Sequence, residues 1–330
     1  MLLMFVLSFS AVFAETDTQS INAPENGTQT AVSPAAETPA VPAKPTGKVF
    51  KKGKYYYYKD VKGVVRKKAG FVKAGENIYY VRKGGKIRTN ATFKVNKKYY
   101  RADKYGVIKT GVYKWSGALY YSDASGVLRK TEGFVTWNGS RYYVQKGGKI
   151  YADQGFSVKN IPYAADKSGC AVQLDIPDGD GSPVVDIAKA HVGIMTGKTY
   201  WVWYYKTKFI DTDRTPWCGA FVAWIYNKAG LYKKISVATK FGPLGYVPSY
   251  SRYADKYKKW VNVASAKGGD VIVFGKNRHV GLVEGISGDY IITIEGNAGP
   301  TAAIGCKKPG AVVRNAYKID SPKIKGVIRP

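Results

Sequence analysis

Between Gly47 and Ile176 short bursts of aromatic and β-branched residues alternate with turns rich in lysine and glycine. Tyrosine pairs recur at Tyr57-Tyr58, Tyr79-Tyr80, Tyr99-Tyr100, Tyr120-Tyr121 and Tyr142-Tyr143, with a degenerate sixth at Tyr163. A glycine follows each at Gly63, Gly85, Gly106, Gly126, Gly148 and Gly169, with spacings of 22, 21, 20, 22 and 21. A fixed period of this length marks stacked supersecondary units. Within a unit, a strand such as Ser140–Gln145 is expected to turn at its glycine, which supplies a positive φ. It then returns through a short strand such as Gly148–Ala152. So small a hairpin cannot bury its own face, so neighbours must complete the core. One tyrosine of each pair is expected inside and the other partly exposed. Tyr58, Tyr80, Tyr100, Tyr121 and Tyr143 are the candidate ligand contacts.

From Ser182 the apolar spacing changes to a helical one, with Val184, Ile187, Ala188 and His191 or Val192 on one stripe. Ser182 reads as the N-cap and Pro183 as the first helical residue. A second helix is expected from about Pro216 to Gly230, burying Trp217, Phe221, Trp224 and Ile225. Strands follow at Gly268–Gly275, His279–Ile286 and Tyr290–Asn297. With Ser287-Gly288-Asp289 as a three-residue loop, Ile286 pairs with Tyr290 and His279 faces Asn297. Glu295 then lies diagonally beside His279 on the same face. A two-residue loop would shift the register by one and turn those side chains away. The expected fold class is α+β, with an all-β solenoid of about six hairpins in front of it.

Residues 2–14 form an apolar run ending Val12-Phe13-Ala14, which suits cleavage of a leader, 1–14, before Glu15. No lysine or arginine precedes the run, which points to a start further upstream. Residues 15–46 lack aromatics and are rich in Pro, Ala and Thr, so they are expected to be a disordered linker. The expected division is leader, linker, repeats at 47–176 and a catalytic half at 182–330. After leader removal no run is apolar enough to span a bilayer.

The net charge of +29 is concentrated in the repeats, where 28 basic and 8 acidic side chains leave +20. Such a chain seeks a polyanion. No zinc-finger, helix-turn-helix or RNA-binding signature accompanies the charge, so the expected partners are anionic or glycan wall polymers rather than nucleic acid. An exported protein with three cysteines, Cys170, Cys218 and Cys306, keeps at least one thiol free. Cys170 and Cys306 read as unpaired thiols rather than as a bridge.

Cys218 falls in the first turn of the second helix, where the helix dipole and free backbone N–H groups favour a thiolate. Two histidines are available to it. His191 lies on the apolar stripe of the first helix and reads as a packing residue. His279 opens a strand, and the next strand offers Glu295 or Asn297 to hold its second ring nitrogen. Asp211 and Asp213 suit a hard cation by type, yet read more simply as a solvated acidic turn. Neither a metal nor a cofactor is expected. A monomer is expected.

The strings TPWCGAFVAW, GDVIVF, HVGLVEGI and IEGN, followed by GAVVR, resemble the CHAP domain, the cysteine- and histidine-dependent amidohydrolase/peptidase module. The resemblance implies a papain-like α+β fold and cleavage of an amide bond in peptidoglycan, by an N-acetylmuramoyl-L-alanine amidase or an endopeptidase. It implies Cys218 as nucleophile, His279 as general base and acid, Glu295 as orienting group and Asn297 as a further polar member. Trp217 is a candidate substrate contact. Papain-like enzymes often place a glutamine ahead of the nucleophile; here Thr212 and Arg214 occupy that region. The repeats resemble cell-wall-binding repeats of the choline- and glucan-binding kind, opened by Phe71, Phe93, Tyr113, Phe134 and Phe156. Choline-binding members hold a quaternary ammonium with tryptophans and a methionine, and these repeats contain no methionine. A secreted, wall-associated hydrolase is therefore expected, the alternative being an inactive wall-bound adhesin or scaffold.

Overall fold

The computed structural model describes residues 47–208, 216–299 and 310–330. The expected leader and linker lie outside the described residues, as do Thr212, Arg214, Asp211, Asp213 and Cys306. Cys170 is half-buried and unpaired among the described residues.

Six two-stranded hairpins follow one another. They pair β1 (Gly47–Lys52) with β2 (Tyr55–Asp60), β3 (Gly70–Ala74) with β4 (Asn77–Val81), and β5 (Ala91–Val95) with β6 (Lys98–Ala102). Next come β7 (Gly111–Trp115) with β8 (Ala118–Ser122), β9 (Gly133–Trp137) with β10 (Ser140–Val144), and β11 (Gln154–Val158) with β12 (Ile161–Ala165). A short β13 (Ala171–Gln173) adds to β12. The main turn of each unit differs from the expected one. It joins the strand of the opening aromatic to the tyrosine strand, pairing Phe71 with Tyr80 and Phe93 with Tyr100. The repeating glycine, with φ of 87° at Gly106, marks a second turn, and the return segment beyond it forms single bridges such as Val81 to Ile87. Strands of five or six residues on both sides of the first turn give a ladder. The return segment is too short to give one.

Those return segments stack the units. The Ile87 N–H donates to the Tyr56 carbonyl of the preceding hairpin at 2.8 Å, and Leu128 donates to Tyr99 likewise. Aromatic rings fill the spaces between units, as where Phe71 meets Tyr100 with centroids 4.7 Å apart. In the first three tyrosine pairs one member is buried and the other half-buried, whereas both Tyr120-Tyr121 and Tyr142-Tyr143 are half-buried throughout.

The remainder is α+β. Among the described residues five α-helices, α1 (Pro183–Ala190), α2 (Lys198–Tyr205), α3 (Cys218–Lys228), α4 (Tyr232–Ser236) and α5 (Pro248–Tyr257), precede the sheet. Its strands are β14 (Trp260–Val261), β15 (Val271–Phe274), β16 (His279–Ser287), β17 (Tyr290–Ala298), β18 (Ala311–Lys318) and β19 (Ile324–Ile328). They are ordered β14-β19-β15-β16-β17-β18, every pair antiparallel. Helix α3 is buried along Cys218–Tyr226, not on one stripe, because helices cover the sides that the sheet does not. The absence of a side chain at Gly296 lets it approach β17: a Cβ there would lie 2.6 Å from Phe221 Cβ. No described helix is long and apolar enough to cross a membrane.

The β16–β17 turn overturns the expected loop. Ser287 pairs with Tyr290, so the loop has two residues, and the register is one off from that which places His279 beside Glu295. A bulge at Glu284 then takes up one residue of β16. From Val283, paired with Thr293, and Leu282, paired with Ile294, the register returns to the one that puts His279 and Glu295 on one face. The loop was misread because a bulge and a longer loop leave the same register at the far end of the hairpin.

Candidate active site

Cys218 is the first residue of α3 and is 3% exposed. Its thiol hydrogen-bonds with the His279 ring and receives backbone N–H groups of Val280 and Gly219. On the other side of the imidazole, His279 Nε2 donates to Glu295 Oε2 at 2.9 Å. The second oxygen, Oε1, accepts from Thr293 Oγ1 at 2.7 Å, Asn315 Nδ2 at 3.1 Å and Tyr317 Oη at 3.0 Å. A carboxylate with four donors stays ionised even when buried. Gly281 makes this possible, since a Cβ there would stand 2.7 Å from Glu295 Cγ, in the path of the side chain.

The electrostatics form one coupled system. Burial alone raises the Cys218 thiol, but the hydrogen bond and charge of His279, with the two backbone donors, bring it below the ordinary thiol value. Burial lowers His279, and the hydrogen bonds and charges of Cys218 and Glu295 outweigh it, raising the imidazole to about 10. Burial also raises Glu295, yet His279, Thr293 and Asn315 hold it below the usual carboxylate range. The favoured state is thiolate, imidazolium and carboxylate in line. Such a thiolate can attack an electrophilic carbonyl carbon, with a proton ready on the neighbouring ring.

The structure brings together Cys218, His279 and Glu295. Asn297 sits two residues on, in a β17 irregularity at φ 57°, with its side-chain oxygen packed against Gly310. Glu295 is the partner of the imidazole. Trp217 is only 1% exposed, stacked on Tyr200 at 5.2 Å, and so is a core residue, not a substrate contact. The same correction applies to Tyr58 and Tyr100, 2% and 1% exposed in the cores between hairpins. Tyr80, Tyr121 and Tyr143 are half-buried, each against another aromatic ring. Large apolar rings gain more from burial than a surface role leaves them. Thr293, Asn315 and Tyr317 are the residues sequence reasoning missed. Their signal was polar groups at alternate positions, Thr293 with Glu295 and Asn315 with Tyr317, on otherwise apolar strands.

His191 caps α1, meets the Tyr200 hydroxyl through Nδ1 at 2.8 Å and packs edge-on against Trp224. Burial lowers its pKa. Replacing it, His191→Gln, is expected to leave turnover within about twofold and to cost about 1 kcal/mol in a denaturation experiment.

The hairpin array presents a second surface. Its aromatic faces carry the chain's own cations: Lys86 Nζ lies 3.7 Å from the Tyr55 ring centroid and Lys130 Nζ 4.2 Å from Tyr99. The guanidinium groups of Arg101 and Arg141 lie 3.7 Å over Tyr120 and Phe134. Acidic groups are engaged elsewhere. Asp60, Asp103, Asp123 and Asp166 accept backbone N–H groups in the second turns.

Residues 210–297 match the CHAP domain family model, a stretch that holds Cys218, His279, Glu295 and Asn297. A comparison with curated proteins returned no match. Among solved structures, choline-binding protein F of Streptococcus pneumoniae is 25% identical, with 38% of this chain and 42% of that one covered and a TM-score of 0.30. The Cpl-1 endolysin of phage Cp-1, complexed with choline, is 22% identical over 41% of this chain and 39% of its own, with a TM-score of 0.28. The chain spans about two fifths of the length of these matches.

Proposed function

We propose that this CHAP-bearing chain is an exported peptidoglycan hydrolase, cutting an amide bond by acyl transfer through Cys218 and held on the cell wall by its hairpin repeats. The observation that carries the reading is the buried line of Cys218, His279 and Glu295 at a helix start. In the proposed reaction the Cys218 thiolate attacks the carbonyl carbon and the carbonyl electrons move onto oxygen. The Cys218 backbone N–H, at the positive end of α3, would receive that oxyanion. His279 gives its proton to the leaving amine as the carbon–nitrogen bond breaks, leaving a thioester. His279 then takes a proton from water, whose oxygen attacks the thioester, and the carboxylate product departs as the thiolate is restored. Throughout, Glu295 holds the Nε2 proton.

Digestion of purified peptidoglycan followed by mass spectrometry tests this reading. New muramic lactyl ends would identify an amidase, and new peptide amino termini an endopeptidase. Walls that release neither would sink the hydrolase reading and favour a wall-bound scaffold.

For the repeats we propose an anionic wall polymer as ligand. A quaternary ammonium group needs an open aromatic face. Here Lys86, Arg101, Lys130 and Arg141 already lie over such faces, so an external cation would have to displace an internal one. Retention on wall polymer is expected to fall by at least about tenfold between low salt and roughly 0.5 M salt, as counterion release requires. Elution by choline at constant ionic strength would overturn the assignment.

A further inference from the structure

The sixth hairpin is joined to the sheet that carries the site. Strand β11 passes so close to β18 that a Cβ at Gly155 would lie 2.6 Å from the Ala316 carbonyl oxygen. Asp153, just before β11, pairs with Lys318 at the end of β18. At the β11–β12 turn, Asn160 Oδ1 accepts from the Arg314 backbone N–H at 3.3 Å, and its carbonyl accepts from Arg314 Nη1 at 3.4 Å.

Arg314 leads back to the bulge. Its Nε donates to Glu284 Oε2 at 2.6 Å and its Nη2 to Oε1 at 2.9 Å, a two-point pair with a carboxylate that is fully buried. Glu284 is the residue that the β16 bulge takes up. Were it drawn into the ladder, every pair toward His279 would shift by one and Glu295 would face away from the imidazole. Pro177, on the segment leaving the array, closes the other side, 2.5 Å from where a Gly285 Cβ would stand. A buried carboxylate that loses its paired cation is strongly disfavoured, so the ion pair selects one register over its neighbour.

We propose that Arg314 and Asn160 are positioning residues. Through them the last hairpin of the array holds the Glu284 bulge, and with it the register that sets His279 against Glu295. The array is then part of the reacting unit as well as its tether. This rests on the role proposed above for Cys218, His279 and Glu295.

The test uses the full chain with Arg314→Met, Arg314→Lys and Asn160→Gly. The glycine keeps the left-handed turn at Asn160, where φ is 63°, and deletes only the side-chain acceptor. Two readouts are taken beside thermal stability: kcat and KM on a soluble muropeptide, and the rate of Cys218 alkylation by iodoacetamide against pH. Arg314→Met is expected to lower kcat by at least about tenfold with little change in KM. It should also slow alkylation near pH 6 by a similar factor, as the imidazolium is lost. Arg314→Lys should recover part of both, and Asn160→Gly should fall between wild type and Arg314→Met. Wild-type kcat and alkylation profiles in folded Arg314→Lys and Asn160→Gly, with only the melting temperature changed, would overturn the proposal. Those two variants decide the matter if Arg314→Met does not fold. Alkylation reads the register without a substrate, so an inactive wild type would defeat the hydrolase reading and leave this proposal testable.

Discussion

Cys218→Ala is expected to reduce the release of fragments from purified peptidoglycan by at least about 10⁴-fold, because among the described residues Cys218 is the nucleophile held against the imidazole. The variant should fold. The site removes one sulfur from the start of a helix held by Phe221, Val222 and Ile225 in the core. A single-turnover assay with a muropeptide would measure the loss, and wild-type turnover by the variant would end the assignment of Cys218 as nucleophile.

Glu295→Gln is expected to lower kcat by about 10²- to 10⁴-fold, for a reason visible in the network. Three donors, from Thr293, Asn315 and Tyr317, converge on Oε1, so the glutamine must put its carbonyl oxygen there. Its NH₂ then faces His279 Nε2. Two donors cannot share that contact, so Nε2 must accept and the ring proton moves to Nδ1, the nitrogen that faces the thiol. The base is lost by tautomer, with little change in packing.

The pH profile carries the same information. The thiolate–imidazolium pair exists above the lowered Cys218 pKa and below the His279 value of about 10. Wild-type kcat/KM should therefore be broad and fall on the alkaline side near pH 10. In Glu295→Gln the alkaline limb should move toward the ordinary imidazole range, because Glu295 is one of the groups that raises His279. The linked stability follows. His279, raised on folding, contributes stability that is complete below about 6.5 and is lost as pH rises through about 10. Glu295, lowered on folding, contributes stability present at and above the ordinary carboxylate range and lost as pH falls through its depressed value. An unmoved alkaline limb in Glu295→Gln would show that the carboxylate does not set the imidazole.

Much of this was legible from residue order. The six-unit period followed from glycine spacing, and Cys218 and His279 could be singled out because a thiol at a helix start has few histidines to serve it. Residue order left Glu295 and Asn297 both open, and only the family resemblance implied Glu295. The hairpin loop was not legible. Val283-Glu284-Gly285 reads as ordinary alternation, and the partner of Glu284 is Arg314, on a strand remote in sequence and itself bonded to Asn160. Tyr58, Tyr100 and Trp217 were misread for a related reason. Their residue type suits a ligand surface and a core equally well, and only the stacking of neighbouring units decides between them.

The stitching of return segments to preceding hairpins has a mechanical consequence. Bonds such as Ile87 to Tyr56 and Leu128 to Tyr99 pass load from unit to unit along the backbone. The last unit passes it to β18 at Asn160 and Asp153. Tension applied to the array would therefore reach the sheet through the contact between β11 and β18, at the edge strand two places from the one that carries His279.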